Sequence, residues 1–370
     1  MTNAQSDKKL QMVRDLQLAV SEYAPDSQVV ADGKLYTSRY IRKLPLKTGQ
    51  DWEIAYIAQC KNSACMTWNY RTIQPNENEE LFCIACHEPI SRGQWQQAIE
   101  PRKGFIASAN PTDVPMRKPE KAYRSEDCYI GDTQRQVIEQ FKFILKNGNQ
   151  VQLETSVNDS LMVVCTDDFY VCSHCGYAES LSEQKKKENS NSHKKTLEKK
   201  HSTPWDTKCE NKLFKNKLIH VFRTDVVRII FDHPQAGDYS VMVSAMYALL
   251  EALSATLDIE RNDIKACLQK IHSGKNLIYA IVLYDAVAGG AGHVRRIATS
   301  DGAVFRRVIK KATKITTECT CSPSCYNCLR NYYNQKIHDI LNREYAADFL
   351  KKYDDAIEAT ESHEKDGASS

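Results

Sequence analysis

Apolar and polar positions divide the chain into a β-rich first part and a mixed last part. Leu10, Val13, Leu16, Leu18 and Val20 recur at spacings that predict a short helix over 10–23, stopped by Pro25. Two β-prone runs flank Asp32-Gly33 and predict a hairpin over 28–41. Residues 52–57, and later Leu81 and Phe82, are also β-prone. Prolines and charges over 101–127 suggest a connector lying over a surface. Phe141, Phe143 and Leu145 alternate before Asn147-Gly148, and Val151, Leu153 and Thr155 alternate after it, so 136–165 reads as antiparallel sheet. A third strand is expected at 161–164. Residues 218–231 read as one or two strands, 239–257 as a mostly buried helix, and 263–271 as a second helix. The continuous apolar run 277–284 predicts a strand buried on both faces. A glycine-rich turn follows at 285–292, then a partly helical stretch over 293–313. A long final helix is expected to run to about residue 357, with a polar, disordered tail behind it.

Composition narrows the class without naming a function. The 370 residues suffice for two or three compact units, and 42% hydrophobic with 26% charged residues is ordinary for a globular protein. A net charge of +3 is too small to argue for nucleic acid, so a basic surface would need local clustering. Residues 1–26 carry no signal peptide, and the apolar stretches 241–257 and 277–291 read as interrupted or too short to span a bilayer. These features predict a cytoplasmic protein with no membrane contact. In that compartment fourteen cysteines suggest metal ligands rather than disulfides, and eleven of them fall in three clusters.

The first cluster, Cys60-x4-Cys65 and Cys83-x2-Cys86, has seventeen residues between its pairs. That is a zinc-ribbon layout, two turns each offering two thiolates to one ion. The second, Cys172-x2-Cys175, lacks adjacent partners. His201 and Cys209 complete a Cys3His set, with His193 in the lysine-rich stretch 182–200 as the competing imidazole. That stretch reads as a solvated, mobile loop, although its lysines would also suit phosphate. The third cluster is a knot of four cysteines within ten residues: Cys319, Cys321, Cys325 and Cys328. Thiols this close would strain as two disulfides but can wrap one tetrahedral ion, with an iron–sulfur cluster as the rival occupant. The expected cofactor is Zn2+, about three per chain, each in a closed four-ligand shell that marks a structural role.

A catalytic centre is harder to find. The sequence holds no G-x-x-x-x-G-K-[ST], no H-E-x-x-H and no zinc-deaminase signature. Gly289, Gly290 and Gly292, with Asp285 ahead and Arg295 and Arg296 behind, suit an anion; equally, the glycines permit tight strand-to-helix packing. Cys128, Cys165 and Cys267 lie outside the clusters with no adjacent histidine motif, and Cys267 reads as core. Beyond the knot, Arg330, Tyr332, Tyr333, Lys336, His338 and Arg343 form a candidate DNA or partner contact together with Arg295 and Arg296; equally, Tyr333 and His338 suit packing of the final helix onto the knot.

The run from Leu283 to Arg343, LYDAVAGGAGHVRRI followed by C-x-C-x3-CYNCLRNYYNQKIHDILNR, resembles the zinc-binding domain family named after the MrfA helicase. The stretches YAPDSQVVADGKLYTSRYI and VCSHCGY…HSTPWDTKC…LIHVFRTDVVRI resemble the same family's upstream parts. Ala288 replaces the family's frequent proline, and Asn342-Arg343 its frequent Asp-Arg. The resemblance implies that Cys319, Cys321, Cys325 and Cys328 bind metal. It further implies a non-catalytic accessory role beside a helicase acting in trans, as for DrmB in the DISARM anti-phage system, with DNA held directly or through the complex. The expected fold is α+β and multidomain. An N-terminal helix and hairpin (1–50) precede a zinc ribbon (51–100), a linker and antiparallel β region (101–165) and a second zinc module (166–216). An α/β domain with the four-cysteine knot (217–358) and a tail (359–370) complete it.

Overall fold

The computed structural model describes residues 11–43, 52–116, 123–131, 137–145, 148–181, 200–274, 276–354 and 357–359. Expectations for Leu10, Asn147, His193, the lysine-rich stretch 182–199 and the tail from 360 fall outside them. The fold is mixed α+β. Its strands are β1 (Gln28–Ala31), β2 (Lys34–Ile41), β3 (Glu53–Gln59), β4 (Trp68–Arg71), β5 (Gln96–Glu100), β6 (Phe105–Ala107), β7 (Thr112–Asp113), β8 (Ser125–Tyr129) and β9 (Val137–Leu145). They continue with β10 (Gln150–Cys165), β11 (Phe169–Cys172), β12 (Ala178–Ser180), β13 (His201–Ser202), β14 (Lys208–Cys209), β15 (Leu213–Asp232), β16 (Ile264–Ser273), β17 (Asn276–Asp285) and β18 (Ile357–Ala359). The α-helices are α1 (Leu16–Glu22), α2 (Tyr239–Leu257), α3 (Ala303–Glu318) and α4 (Arg343–Asp354).

One strand joins the parts. The 20-residue β15 pairs antiparallel with β11 at its start, with β10 along most of its length and with β17 through Val226–Ile229. It also meets β5 in parallel at Lys217 and Leu218, which attaches β3, β4 and β5 to the same sheet. It carries apolar residues on both faces because both faces are covered. Val227, Ile229 and Phe231 face a large core shared with α2, α3 and α4. Leu218, Phe222 and Val226 face a second core containing Ala19 and Val20 of α1, Ile41 of β2 and Phe105 of β6.

The predicted hairpin at 28–41 forms, with Asp32 and Gly33 both at positive φ as a tight turn requires. The predicted helix at 239–257 is α2, capped at Asp238, whose carboxylate accepts from the Val241 N–H at 3.1 Å. At 19 residues α2 is long and apolar enough to cross a membrane, contrary to the reading of 241–257 as too short. Its place in the core accounts for that composition: Met242, Ala245, Leu249 and Leu253 are all buried.

Five expectations need correction. The N-terminal helix begins only at Leu16, where Asp15 caps it by accepting from the Gln17 N–H. The connector at 101–127 contributes β6, β7 and β8 to the sheets. The strand at 161–164 is the end of β10, continuous through an irregularity between Ser156 and Asp159. Residues 263–271 form β16, not a helix, paired with β17 from Ile264↔Asp285 to Ser273↔Asn276. Ile264, Ala266 and Leu268 pack on the helix side while Cys267 packs on the other. Burial on both faces therefore produced an apolar pattern that imitates a helix. Finally, the last helix does not begin at the knot but only at Arg343, and it ends at Asp354. Asn331 Oδ1 accepts from the N–H groups of Tyr333 and Asn334, and Asn334 Nδ2 donates to the Leu329 carbonyl. Such local bonds divert the backbone from helix, leaving a 3-10 turn at Gln335–Ile337 before α4 and then β18.

Candidate metal centres

The twelve expected ligands come together as three groups of four, each with its donor atoms within 4.8 Å of one another. With Zn–S bonds of about 2.3 Å, a tetrahedral shell sets S···S separations at roughly 3.8 Å.

In the first group Cys60 and Cys65 flank a turn between β3 and β4, and Cys83 and Cys86 flank a second turn. Cys60 Sγ lies 3.5 Å from Cys86 Sγ, and Cys65 Sγ 3.7 Å from Cys83 Sγ. Backbone bonds shape both turns: Cys60 N–H to Thr67 O at 2.9 Å, and Cys83 N–H to Glu88 O at 2.8 Å. Met66 and His87 close them in left-handed conformation. A residue the sequence did not single out, Asn69, is buried between the turns. Its Nδ2 donates to the Ala58 and Thr67 carbonyls and reaches Cys83 Sγ at 3.7 Å, while its Oδ1 accepts from the Ile84 N–H at 2.9 Å. Nothing in the run WNYR distinguishes this asparagine from a solvated strand residue. Burial opposes ionisation of Cys83, but the N–H groups of Cys86 and Ala85 and the Asn69 amide hold its thiol below the ordinary value.

The second group draws ligands from two separated segments. Cys172 and Cys175 sit at the end of β11, while His201 and Cys209 face each other across β13 and β14. Cys172 Sγ lies 3.9 Å from Cys209 Sγ, and Cys175 Sγ 3.2 Å from His201 Nε2. The imidazole thus turns Nε2 to the thiols, and His201 completes the group among the described residues. Tyr177 stacks on it at 4.7 Å between ring centroids, and Tyr40 meets Tyr177 edge-on at 5.9 Å. Gly176 is required by space. It adopts φ +78°, and a Cβ there would stand 2.2 Å from the Ile41 carbonyl oxygen. Its own carbonyl accepts from the Ile41 N–H at 2.8 Å, which docks the turn on β2. Hydrogen bonding from Cys175 lowers the Cys172 thiol to about 4.

The knot is the tightest group. Cys319 Sγ lies 3.3 Å from Cys321 Sγ and 3.6 Å from Cys325 Sγ; Cys328 Sγ lies 3.5 Å from Cys321 Sγ and 3.9 Å from Cys325 Sγ. These edges bracket the tetrahedral value. The Cys325 carbonyl accepts from the N–H groups of Cys328, Leu329 and Arg330. Backbone N–H donation from Cys321 lowers the Cys319 thiol to about 7. Residues 245–329 match the family model of the MrfA Zn-binding domain. The match begins inside α2 and ends one residue past Cys328. Zinc is therefore the ion to which this domain type and all three donor sets are suited.

A crystal structure of the DUF1998 helicase MrfA bound to DNA aligns with 68% of this chain and 27% of its own, at 15% identity and a TM-score of 0.35. A second, bound to DNA and AMPPNP, aligns with 68% and 24%, at 12% identity and a TM-score of 0.27. The chain thus spans about a quarter of the length of those helicases. No curated protein matches it.

Within and beside the MrfA Zn-binding match, most of the expected contact residues serve the fold. Arg343 Nε donates to Cys321 O at 2.7 Å and its Nη1 to Thr316 O at 3.2 Å, so this guanidinium fastens the knot to the end of α3. Arg330 donates to Ser324 Oγ and His338 O. His338 Nε2 lies 2.8 Å from Asn334 Oδ1, with Tyr326 edge-on to its ring. Lys336 Nζ donates to Tyr123 O, Arg296 to Leu257 O, and Arg295 stands 4.0 Å from Asp225. Tyr332 and Tyr333 are exposed and edge-on to each other at 5.6 Å.

The glycine turn points inward. The fully buried Asp285 accepts from the N–H groups of Ala291 at 2.6 Å, His293 at 3.1 Å and Val294 at 2.9 Å. A Cβ on Gly290 would lie 2.6 Å from the Asp225 carboxyl carbon. Gly290 therefore serves close packing, and N–H donors of the turn that an external anion would need already hold Asp285.

Proposed function

We propose that this chain is a non-catalytic, zinc-stapled accessory module for a DNA helicase or translocase whose motor lies outside these 370 residues. The observation that carries this reading is the match of residues 245–329 to the MrfA Zn-binding domain, in which the four-cysteine knot closes the matched segment. The proposed zinc ligands are Cys60, Cys65, Cys83 and Cys86; Cys172, Cys175, His201 and Cys209; and Cys319, Cys321, Cys325 and Cys328. Each set has four protein donors, which fills a tetrahedral shell and leaves no position for substrate. The chain would act in trans, in DNA processing or anti-phage defence within the cytoplasm, and reach DNA directly or through the complex.

The inward-facing Asp285 gives no support to a nuclease or lyase built on the glycine turn. Co-expression with a helicase encoded beside it tests the proposal. A stable complex and an altered DNA-stimulated ATPase rate are expected; no complex and an unchanged rate would refute it. Elemental analysis should find about three zinc ions per chain, and a visible iron–sulfur band would reassign the knot.

A further inference from the structure

Helix α3 divides sharply into two faces. Phe305, Val308, Ile309, Ala312, Thr313 and Thr316 are buried against α2 and α4. Arg306, Arg307, Lys310, Lys311 and Lys314 are all exposed. Spacings of three and four residues place them on one stripe, and Arg307 to Lys314 covers about 10 Å of helix axis. With Glu318 as its single acid, the helix carries an excess of four positive charges, more than the +3 of the whole chain. The lysine-rich stretch 182–200 has an equal excess in the sequence, but α3 presents its charges on one face of a formed helix.

The stripe is not built for stability. The i,i+4 pairs Arg306/Lys310, Arg307/Lys311 and Lys310/Lys314 are like charges, each costing about 0.2–0.5 kcal/mol in a helix. The ion pair of Lys314 with Glu318, at 3.7 Å, is highly exposed and adds little. Among the described residues no ion pair involves Arg307, Lys310 or Lys311.

We infer that the exposed stripe of α3, at Arg307, Lys310, Lys311 and Lys314, is a contact for the phosphate backbone of nucleic acid. This rests on the DNA-processing reading above and gives it a surface other than the residues around the knot. Two features favour nucleic acid over an acidic protein. The exposed positions of the helix beyond Ala303 are all polar or charged, whereas a protein interface needs an apolar or aromatic anchor at its centre. Phosphate contact needs charge alone, and it positions a duplex without reading sequence.

The test uses the zinc-loaded full chain and a random-sequence DNA duplex of about 20 base pairs, titrated over a salt series. Neutralising the stripe (Arg307→Gln, Lys310→Gln, Lys311→Gln, Lys314→Gln) should reduce the slope of log K against log salt by about 3 to 4, and weaken binding at least about a hundredfold near 0.1 M salt. Glutamine is a good helix former, so helicity and zinc content should hold. Lys310→Arg, Lys311→Arg and Lys314→Arg together should keep the wild-type slope, separating charge from helix structure. An unchanged slope in the glutamine variant overturns the stripe while leaving the helicase-partner reading intact. No measurable duplex binding by the wild-type chain also overturns it, and the helicase complex remains the separate test of that reading. Equally tight binding to polyglutamate, lost in the same variant, would overturn the nucleic-acid assignment in favour of an acidic protein partner.

Discussion

The first cysteine group and the last use the same four thiols for different purposes. The ribbon's own core is small: Ala58, Ala85 and Ile90 around Cys60, Cys65 and Cys83, so half of its buried members are ligands. The knot instead borders the largest core in the molecule, where Cys328 and Leu329 join Phe305, Ile309, Phe349 and Leu350. In the ribbon a bound metal would replace a hydrophobic core that the segment is too short to build. In the knot it would be a clasp on a core that other residues already supply. Identical donor sets therefore do not imply identical consequences of losing the ion.

The largest effect should separate these two roles. Cys83→Ser should abolish hydrogen-exchange protection across the two cysteine turns, residues 60–90, because structural zinc supplies about 10 kcal/mol or more of folding free energy to small modules. Cys325→Ser should lose one zinc equivalent yet leave α2 and α3 protected. Equal loss in both regions would break the comparison.

Next comes Gly176→Ala at the second group. Positive φ and the clash with the Ile41 carbonyl should cost about 3 kcal/mol and lower the melting temperature, with zinc lost from Cys172, Cys175, His201 and Cys209 alone. A smaller step, Arg343→Met, removes the donor to Cys321 O and Thr316 O. About 1.5–3 kcal/mol should disappear from the knot-side core with the ribbon unaffected, as local exchange rates would read.

The smallest concerns how the ribbon sheet is tethered. Glu100, at the end of β5, accepts from His220 Nδ1 at 2.6 Å and from the Val221 N–H at 3.0 Å, both on β15. Burial raises this carboxyl, but the His220 and Val221 hydrogen bonds outweigh it and hold the group below the ordinary carboxylate value. A group depressed on folding stabilises above its unfolded value, and that stability is lost as pH falls through the folded one. Glu100→Gln should therefore destabilise the chain at neutral pH, and the difference from wild type should shrink toward pH 3, as melts across a pH series would show.

All twelve proposed ligands were legible in the linear sequence because metal chemistry leaves short, regular spacings that later folding need not create. The same holds for the Asp32-Gly33 hairpin and for α2, where a local turn and a dense apolar run suffice. Legibility stopped where partners are distant in sequence. The strand β16 looked helical because sheet covers one face and helices the other, and asparagine side chains redirected the backbone after Cys328. The basic and aromatic residues around the knot read as one contact surface, yet packing commits Arg330, His338 and Arg343 to internal hydrogen bonds. Short spacings along the chain already assign the atoms that can hold metal. Which charges remain for a partner is settled by folding, because a cation is available only after the carbonyls and carboxylates brought near it have been satisfied.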